Sequence, residues 1–212
     1  MHSTLTPEML LQAYRIGVFP MAERRDDPTI YWFDPPRRGV LPLRGFHLSR
    51  SLRRRLRQAP FAMTLNADFA GVIAGCAARE ETWINAEIAR LFTALHARGE
   101  AHSLEVWEKD TLVGGVYGLA IGGLFCGESM FSRRTDASKL ALACLVTHLD
   151  ACGFRLFDTQ YLTDHLASLG GVEISRAAYH AQLAPALRAD ADILRFPLPG
   201  AQDVLQFNTQ TS

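Results

Sequence analysis

Apolar positions along this chain recur at helical spacing in some stretches and alternate at strand spacing in others, with glycine and proline marking the joints. Pro7 to Ile16 reads as a helix that Gly17 ends, and prolines at 28, 35, 36 and 42 predict a run of turns and short extended pieces after it. Ser49 is placed to cap a helix reaching about Gln58, with Leu48, Leu52 and Leu56 on its buried side. Phe61 to Leu65 suits a strand, Ala67 to Ala78 a helix, and Asn85 to Ala97 a helix ended by Gly99, its apolar stripe being Ile84, Ile88, Leu91, Phe92 and Leu95. Ser103 to Glu108 alternates, and Leu112 to Ala120 with Gly123 to Cys126 predicts a hairpin around Gly122-Gly123. Asp136 to Cys152 is the strongest helical pattern, Arg155 to Gln160 a strand, and helices follow near Leu162 and Arg176 before a polar, loose tail beyond Pro197.

Hairpin, long helix, strand and helix around a mixed sheet resemble the acetyltransferase-like (GNAT) architecture, so the expected class is α+β. The expected division is a small N-terminal subdomain over residues 1–40 and an acetyltransferase-like domain over 41–212. With 212 residues, 48% of them hydrophobic, the chain is long enough to bury a sizeable core. No stretch has the length and apolar purity of a membrane span, and no signal-peptide core opens the chain. Cys76, Cys126, Cys144 and Cys152 form no C-x-x-C pair and sit among apolar residues, as reduced thiols of a cytoplasmic protein do.

Formal charge is zero overall but uneven: residues 1–60 hold 11 Arg against 5 Asp or Glu, and the remainder 11 Lys or Arg against 17. Either a basic surface meets a polyanion and an acidic one meets a cation, or the two signs pair inside the protein. Arg50, Arg53, Arg54 and Arg57 sharpen the choice, because they fall at i, i+3, i+4 and i+7 on one helix face. A solvated surface is the plain alternative; four arginines on one stripe favour phosphate.

Candidate chemistry concentrates in Gly127-Glu128-Ser129-Met130-Phe131-Ser132-Arg133, after a glycine-rich apolar run, and in Asp158-Thr159-Gln160, which closes a strand. Glu128 follows an apolar strand, where a carboxylate is costly unless it is paired with Arg133, Arg134 or Lys139 or put to use. Strand alternation sends Asp158 and Gln160 to one face, as a cap for the next helix or as an acid and carboxamide that orient an amine. Phe131 stands where a G-x-S-x-G elbow needs glycine, so Ser129 is a poor nucleophile candidate. Without a P-loop, a G-x-G-x-x-G or an H-E-x-x-H, no cofactor, metal or nucleotide hydrolysis is implied, and Ser132 to Ala137 offers no glycine-bearing loop for the pyrophosphate of an acyl-CoA. Trp83 reads first as a core residue and second as a stacking face for a base.

These motifs together resemble the leucyl/phenylalanyl-tRNA-protein transferase family of the bacterial N-degron pathway. The resemblance runs from about Leu10 to Leu187 and is carried by Ala13-Tyr14-Arg15-Ile16-Gly17-Val18-Phe19-Pro20, Phe46-His47-Leu48-Ser49-Arg50-Ser51-Leu52-Arg53, Ala101-His102-Ser103-Leu104-Glu105-Val106-Trp107, Leu112-Val113-Gly114-Gly115-Val116-Tyr117-Gly118, the Leu124 to Arg133 run and Asp158-Thr159-Gln160. It implies transfer of Leu or Phe, and less readily Met, from leucyl-tRNA or phenylalanyl-tRNA to the α-amine of proteins beginning with Arg or Lys. Asp158, Gln160 and Glu128 would form the catalytic centre. Trp83 would lie near the terminal adenosine, Val116, Phe125 and Met130 would form the aminoacyl pocket, and Arg50, Arg53, Arg54 and Arg57 would take the acceptor stem. Two proton routes fit the catalytic residues: Asp158 polarises Gln160, whose carbonyl accepts from the amine, or Asp158 accepts directly. A tRNA-dependent transferase acting on cell-wall peptides and a non-catalytic RNA-binding adaptor are the rival functions.

Overall fold

A computed structural model describes residues 5–27, 29–58 and 61–210, so Pro28, Ala59, Pro60 and both ends of the chain lie outside the described residues. In chain order the elements are α1 (Pro7–Arg15), β1 (Phe19–Met21), β2 (Tyr31–Phe33), β3 (Arg37–Val40), α2 (Arg50–Gln58), β4 (Ala62–Leu65), α3 (Phe69–Ala77) and α4 (Ala86–Ala97). There follow β5 (Ala101–Glu108), β6 (Thr111–Ile121), β7 (Leu124–Ser132), α5 (Ala137–Ala151), β8 (Leu156–Gln160), α6 (Asp164–Ser168), β9 (Val172–Ser175), α7 (Arg176–Leu187) and α8 (Ala201–Gln210).

Helix starts follow their capping chemistry. Oxygens of Thr6, Ser49, Asp68, Asn85, Thr163 and Ser175 each accept a main-chain N–H from the first turn that follows. Gly17, at φ +86, then turns the chain out of α1 into β1.

A seven-stranded sheet of order β4-β5-β6-β7-β8-β3-β9 forms the middle layer, and β1 pairs with β2 in a separate small sheet. Every pair in the large sheet is antiparallel except β7 with β8, joined through α5. One apolar cluster on the α5 side gathers Leu52, Leu56, Val116, Leu140, Leu145, Phe157 and Val204. The other face gathers Leu10, Tyr14, Phe19, Val72, Ile88, Phe92, Tyr117, Phe131 and Tyr179 from α1, α3, α4, α7 and the strands. The architecture is therefore α+β, as expected, with helices covering both faces of one mixed sheet.

Arg37–Val40, which ends the expected N-terminal subdomain, pairs with both β8 and β9, and α1 and β1 share an apolar cluster with residues of β6, β7 and β8. Two expectations are corrected. The chain beyond Pro197 is not loose: α8 packs Val204 and Leu205 onto α5 and α2. β7 does not stop at Cys126 but runs through Glu128 to Ser132. Since Leu205 is buried in the α5-side cluster, Leu205→Ala is expected to lower unfolding free energy by about 2 kcal/mol or more in a denaturant titration; a loose tail would leave the midpoint unmoved.

Candidate active site

The site forms where the two parallel strands part. Leu124–Cys126 pairs with Leu156–Asp158, and beyond that register the strands separate. Two local irregularities open the gap. Tyr117 faces Ser129 while Gly118 faces Gly127, which leaves Glu128 as the extra residue of a β-bulge, a device that re-aims a side chain. On β8, Gln160 sits at φ +59, a left-handed conformation uncommon for a residue with a side chain.

A cavity of about 690 Å³ fills the opening. Val116, Met130, Leu142, Phe157 and Leu166 line it from the α5-side cluster, making an apolar wall. Glu128, Gln160, Arg79 and Trp83 line it together with Phe19, Met21 and Phe131 of the opposite cluster. An apolar group and a polar reacting centre thus find separate surroundings in one space.

Asp158 lies outside the cavity, fully buried and absent from its lining. Arg38 grips it through two bonds, Nε to Oδ1 at 2.9 Å and Nη2 to Oδ2 at 2.6 Å. Tyr179 Oη donates to Oδ2 at 2.9 Å, and the main-chain N–H of Gln160 donates to Oδ1 at 2.8 Å. The expected adjacency of Asp158 and Gln160 is real but differs in kind: the carboxylate holds the Gln160 main chain, and the Gln160 side chain turns elsewhere. Its carboxamide is satisfied when Nε2 donates to Gly127 O at 2.9 Å and Thr159 O at 3.0 Å, which commits both amide hydrogens and leaves Oε1 as its acceptor.

Glu128 forms none of the expected ion pairs. Arg134 binds Glu108, Lys139 binds Asp136, and Arg133 donates to Leu112 O. Tyr14 Oη instead donates to Glu128 Oε1 at 2.7 Å. Loss of bulk water pushes the Glu128 carboxyl up to about 8; the Tyr14 bond opposes this, nearby Asp158 reinforces it and Arg38 opposes it. Burial likewise drives the Tyr14 hydroxyl well above its ordinary value, so it remains a donor.

Of the residues expected around the substrate, Trp83, Val116 and Met130 line the cavity, whereas Phe125 does not. Its ring stands one layer back, edge-on to Phe157 at 5.2 Å. Arg50, Arg54 and Arg57 are exposed on α2, and Arg53 is half-buried with Nε donating to Leu48 O at 3.1 Å. Arg38, Tyr179, Leu142, Phe157, Leu166 and His165 escaped the sequence reading of the site, although Tyr14 and Gly17 lie in a motif singled out there. Burial and the charge of Lys139 hold the His165 imidazole below its usual range, so it lines the cavity as a neutral group near pH 7.

The unfolded chain releases the Glu128 proton near 4.5 and the native protein near 8, so the native state holds the extra proton between these values and loses stability as pH rises through them. Glu128→Gln keeps the Tyr14 acceptor without the ionisation. Its melting temperature should match that of the parent near pH 4 and exceed it by a margin that grows toward pH 8; a margin independent of pH would contradict the assignment.

Known proteins match this chain over nearly its whole length. The family model described as leucyl/phenylalanyl-tRNA protein transferase matches residues 40–184, and that of its N-terminal domain matches residues 3–36. A leucyl/phenylalanyl-tRNA–protein transferase of Roseobacter denitrificans is 61% identical over 98% of this chain and 99% of its own. One of Ruegeria sp. is 61% identical over 99% and 100%, and one of Cereibacter sphaeroides 59% identical over 98% of both. The solved structure of L-PGS from Bacillus licheniformis aligns with a TM-score of 0.41 at 12% identity, over 76% of this chain and 55% of that one, too distant to bear on the site. Matches spanning nearly the whole of both chains place this protein in the leucyl/phenylalanyl-tRNA–protein transferase family, as an aminoacyltransferase that moves an amino acid from tRNA to protein.

Proposed function

We propose that the protein transfers Leu or Phe, and Met less readily, from its tRNA to the α-amine of proteins beginning with Arg or Lys, marking them for degradation. The observation that carries the reading is the cavity with one apolar wall and, at the parted strands, a carboxamide acceptor beside a carboxyl group of raised pKa. Leu, Phe and Met fit the wall made by Val116, Met130, Leu142, Phe157 and Leu166, and selectivity among them is loose because a methylene changes binding by only about 1–3 kcal/mol. Phe125 supports that wall from behind. Trp83 offers its ring to the terminal adenosine. The α2 arginines, on the α5 side like the apolar wall, take acceptor-stem phosphates without reading sequence.

The donor ester is already activated, so alignment and proton handling remain. The amine nitrogen attacks the ester carbonyl carbon, a C–N bond forms, the bond from that carbon to the ribose oxygen breaks, and the amine proton finishes on that oxygen. Gln160 Oε1 accepts an N–H of the attacking amine and fixes its direction. Glu128, at about 8, matches an α-amine with an ordinary pKa of about 8, which suits exchange of a proton at cellular pH; once ionised it also attracts a cationic acceptor. Asp158 acts by holding Gln160, its own oxygens being occupied.

Incubation with leucyl-tRNA and peptides differing only in the first residue is expected to lengthen the Arg- and Lys-initial ones and spare an Ala-initial one. Equal transfer to all three, or transfer only to a muropeptide, would overturn the acceptor assignment. Gln160→Ala is expected to slow transfer about 100-fold with tRNA affinity intact; full activity would remove Gln160 from the reaction. Reversing the charges of Arg50, Arg53 and Arg54 should weaken tRNA binding and flatten its logarithmic salt slope by about two units, and an unchanged slope would refute phosphate binding by α2.

A further inference from the structure

We propose that Arg38 is a positioning residue for aminoacyl transfer, acting through Asp158 to fix the Gln160 carboxamide over the cavity; the proposal rests on the role given to Gln160 above. Arg38 touches no part of the cavity, yet its guanidinium is 1% exposed and almost completely used. Besides the two bonds to Asp158, Nη1 donates to Gly17 O at 2.9 Å, and Nη2 lies 3.3 Å from Tyr179 Oη. The Phe19 and Tyr179 rings flank it, with centroids 4.5 and 4.3 Å from Cζ.

A buried ion pair is a poor device for stability alone, since apolar side chains of similar volume often serve as well. This pair supplies something apolar residues cannot. A planar fork on both oxygens fixes the rotation of the Asp158 carboxylate, which sets Oδ1 against the Gln160 N–H and supports the left-handed turn at Gln160. That turn brings the carboxamide onto Gly127 O and Thr159 O, across the gap between β8 and β7.

The next residue on β3 reinforces the device. Gly39 lies opposite Gln160, and a Cβ there would stand 2.5 Å from the Tyr161 carbonyl carbon, so β3 presses directly on the turn. Gly17 and Phe19 belong to the N-terminal segment, and Phe19 also lines the cavity. Arg38 thereby ties that segment to the catalytic strand.

The test is Arg38→Lys in the full chain, because lysine keeps the charge but has no fork to hold both oxygens. Single-turnover transfer is expected to fall at least tenfold, with KM for leucyl-tRNA and for the acceptor peptide within twofold of the parent. A second arm places Arg38→Lys in the Gln160→Ala background. If Arg38 acts through that carboxamide, the further loss there is less than twofold, whereas general structural damage would repeat the tenfold loss. A parent-like rate, a change confined to KM, or equal losses in both backgrounds overturns the proposal. Should Arg38→Lys fail to fold, Arg38→Met with Asp158→Leu replaces the pair by apolar volume; a folded double variant must transfer as slowly as Gln160→Ala, and a parent-like rate overturns the proposal. The rates are read on whichever acceptor the parent lengthens, so a wrong acceptor assignment shows in the parent and a wrong role for Arg38 shows only in the variants.

Discussion

A guanidinium and a carboxylate taken wholly out of water, Arg38 and Asp158, set the terms for everything around them. Burial alone would depress the Arg38 pKa, but the Asp158 carboxylate more than offsets this and holds it above its ordinary value. The cost of desolvating both ions is offset by good geometry: two short bonds between them, a hydroxyl and a main-chain N–H on the acid, and a carbonyl on the base. Loss of one partner alone strands the other, at about 3–5 kcal/mol. The groups so joined come from the turn after α1, from β3, from β8 and from α7, so one interaction draws segments distant in sequence to the end of a single strand.

The parting of β7 and β8 turns this anchorage into a site. Parallel strands that stayed paired would leave no room between them; β7–β8 pairing ends at Cys126 and Asp158, and the Glu128 bulge, in the β6–β7 ladder, and the left-handed turn at Gln160 follow directly, where the cavity begins. Opposite sides of the sheet then contribute opposite chemistry. Strand alternation sends Phe157 toward α5 and Asp158 toward α7, while on β7 Met130 packs toward α5 and Phe131 toward α3. An apolar side chain and the amide-forming centre can therefore be served by adjacent residues of the same strands.

Much of this was legible in the sequence because it is local. Asn85 and the Ile88, Leu91, Phe92, Leu95 stripe define α4, and the leucines after Asp136 define α5, since capping and a 3.6-residue period act within a few turns. Glu128 and Gln160 stood out as polar groups at the ends of apolar runs, and both line the cavity. What escaped depends on distant partners. Arg37–Val40 is too short and too charged to read as an inner strand, and only β8 and β9 on either side make it one. Arg38 looks like any surface arginine until Asp158, 120 residues away, is folded onto it. α8 escaped because Val204 and Leu205 are thinly spread among polar residues and acquire a partner only when α5 and α2 are in place. Phe125 belongs to the pocket by motif and does share the α5-side face with the wall, but the Phe157 ring stands against it and it does not line the cavity, a packing detail no local pattern reveals.

The central claim is that the Gln160 carbonyl faces the reacting centre while Asp158 stays bound to Arg38 behind it. A crystal structure with a 3′-aminoacyl adenosine analogue, its ester replaced by an amide, tests this most directly. The account predicts the Leu or Phe side chain against Met130, Leu142 and Phe157, the analogue's carbonyl carbon beside Gln160 and Glu128, and both Arg38–Asp158 bonds intact. An analogue bound with the Asp158 carboxylate turned into the cavity and in contact with it would contradict the account.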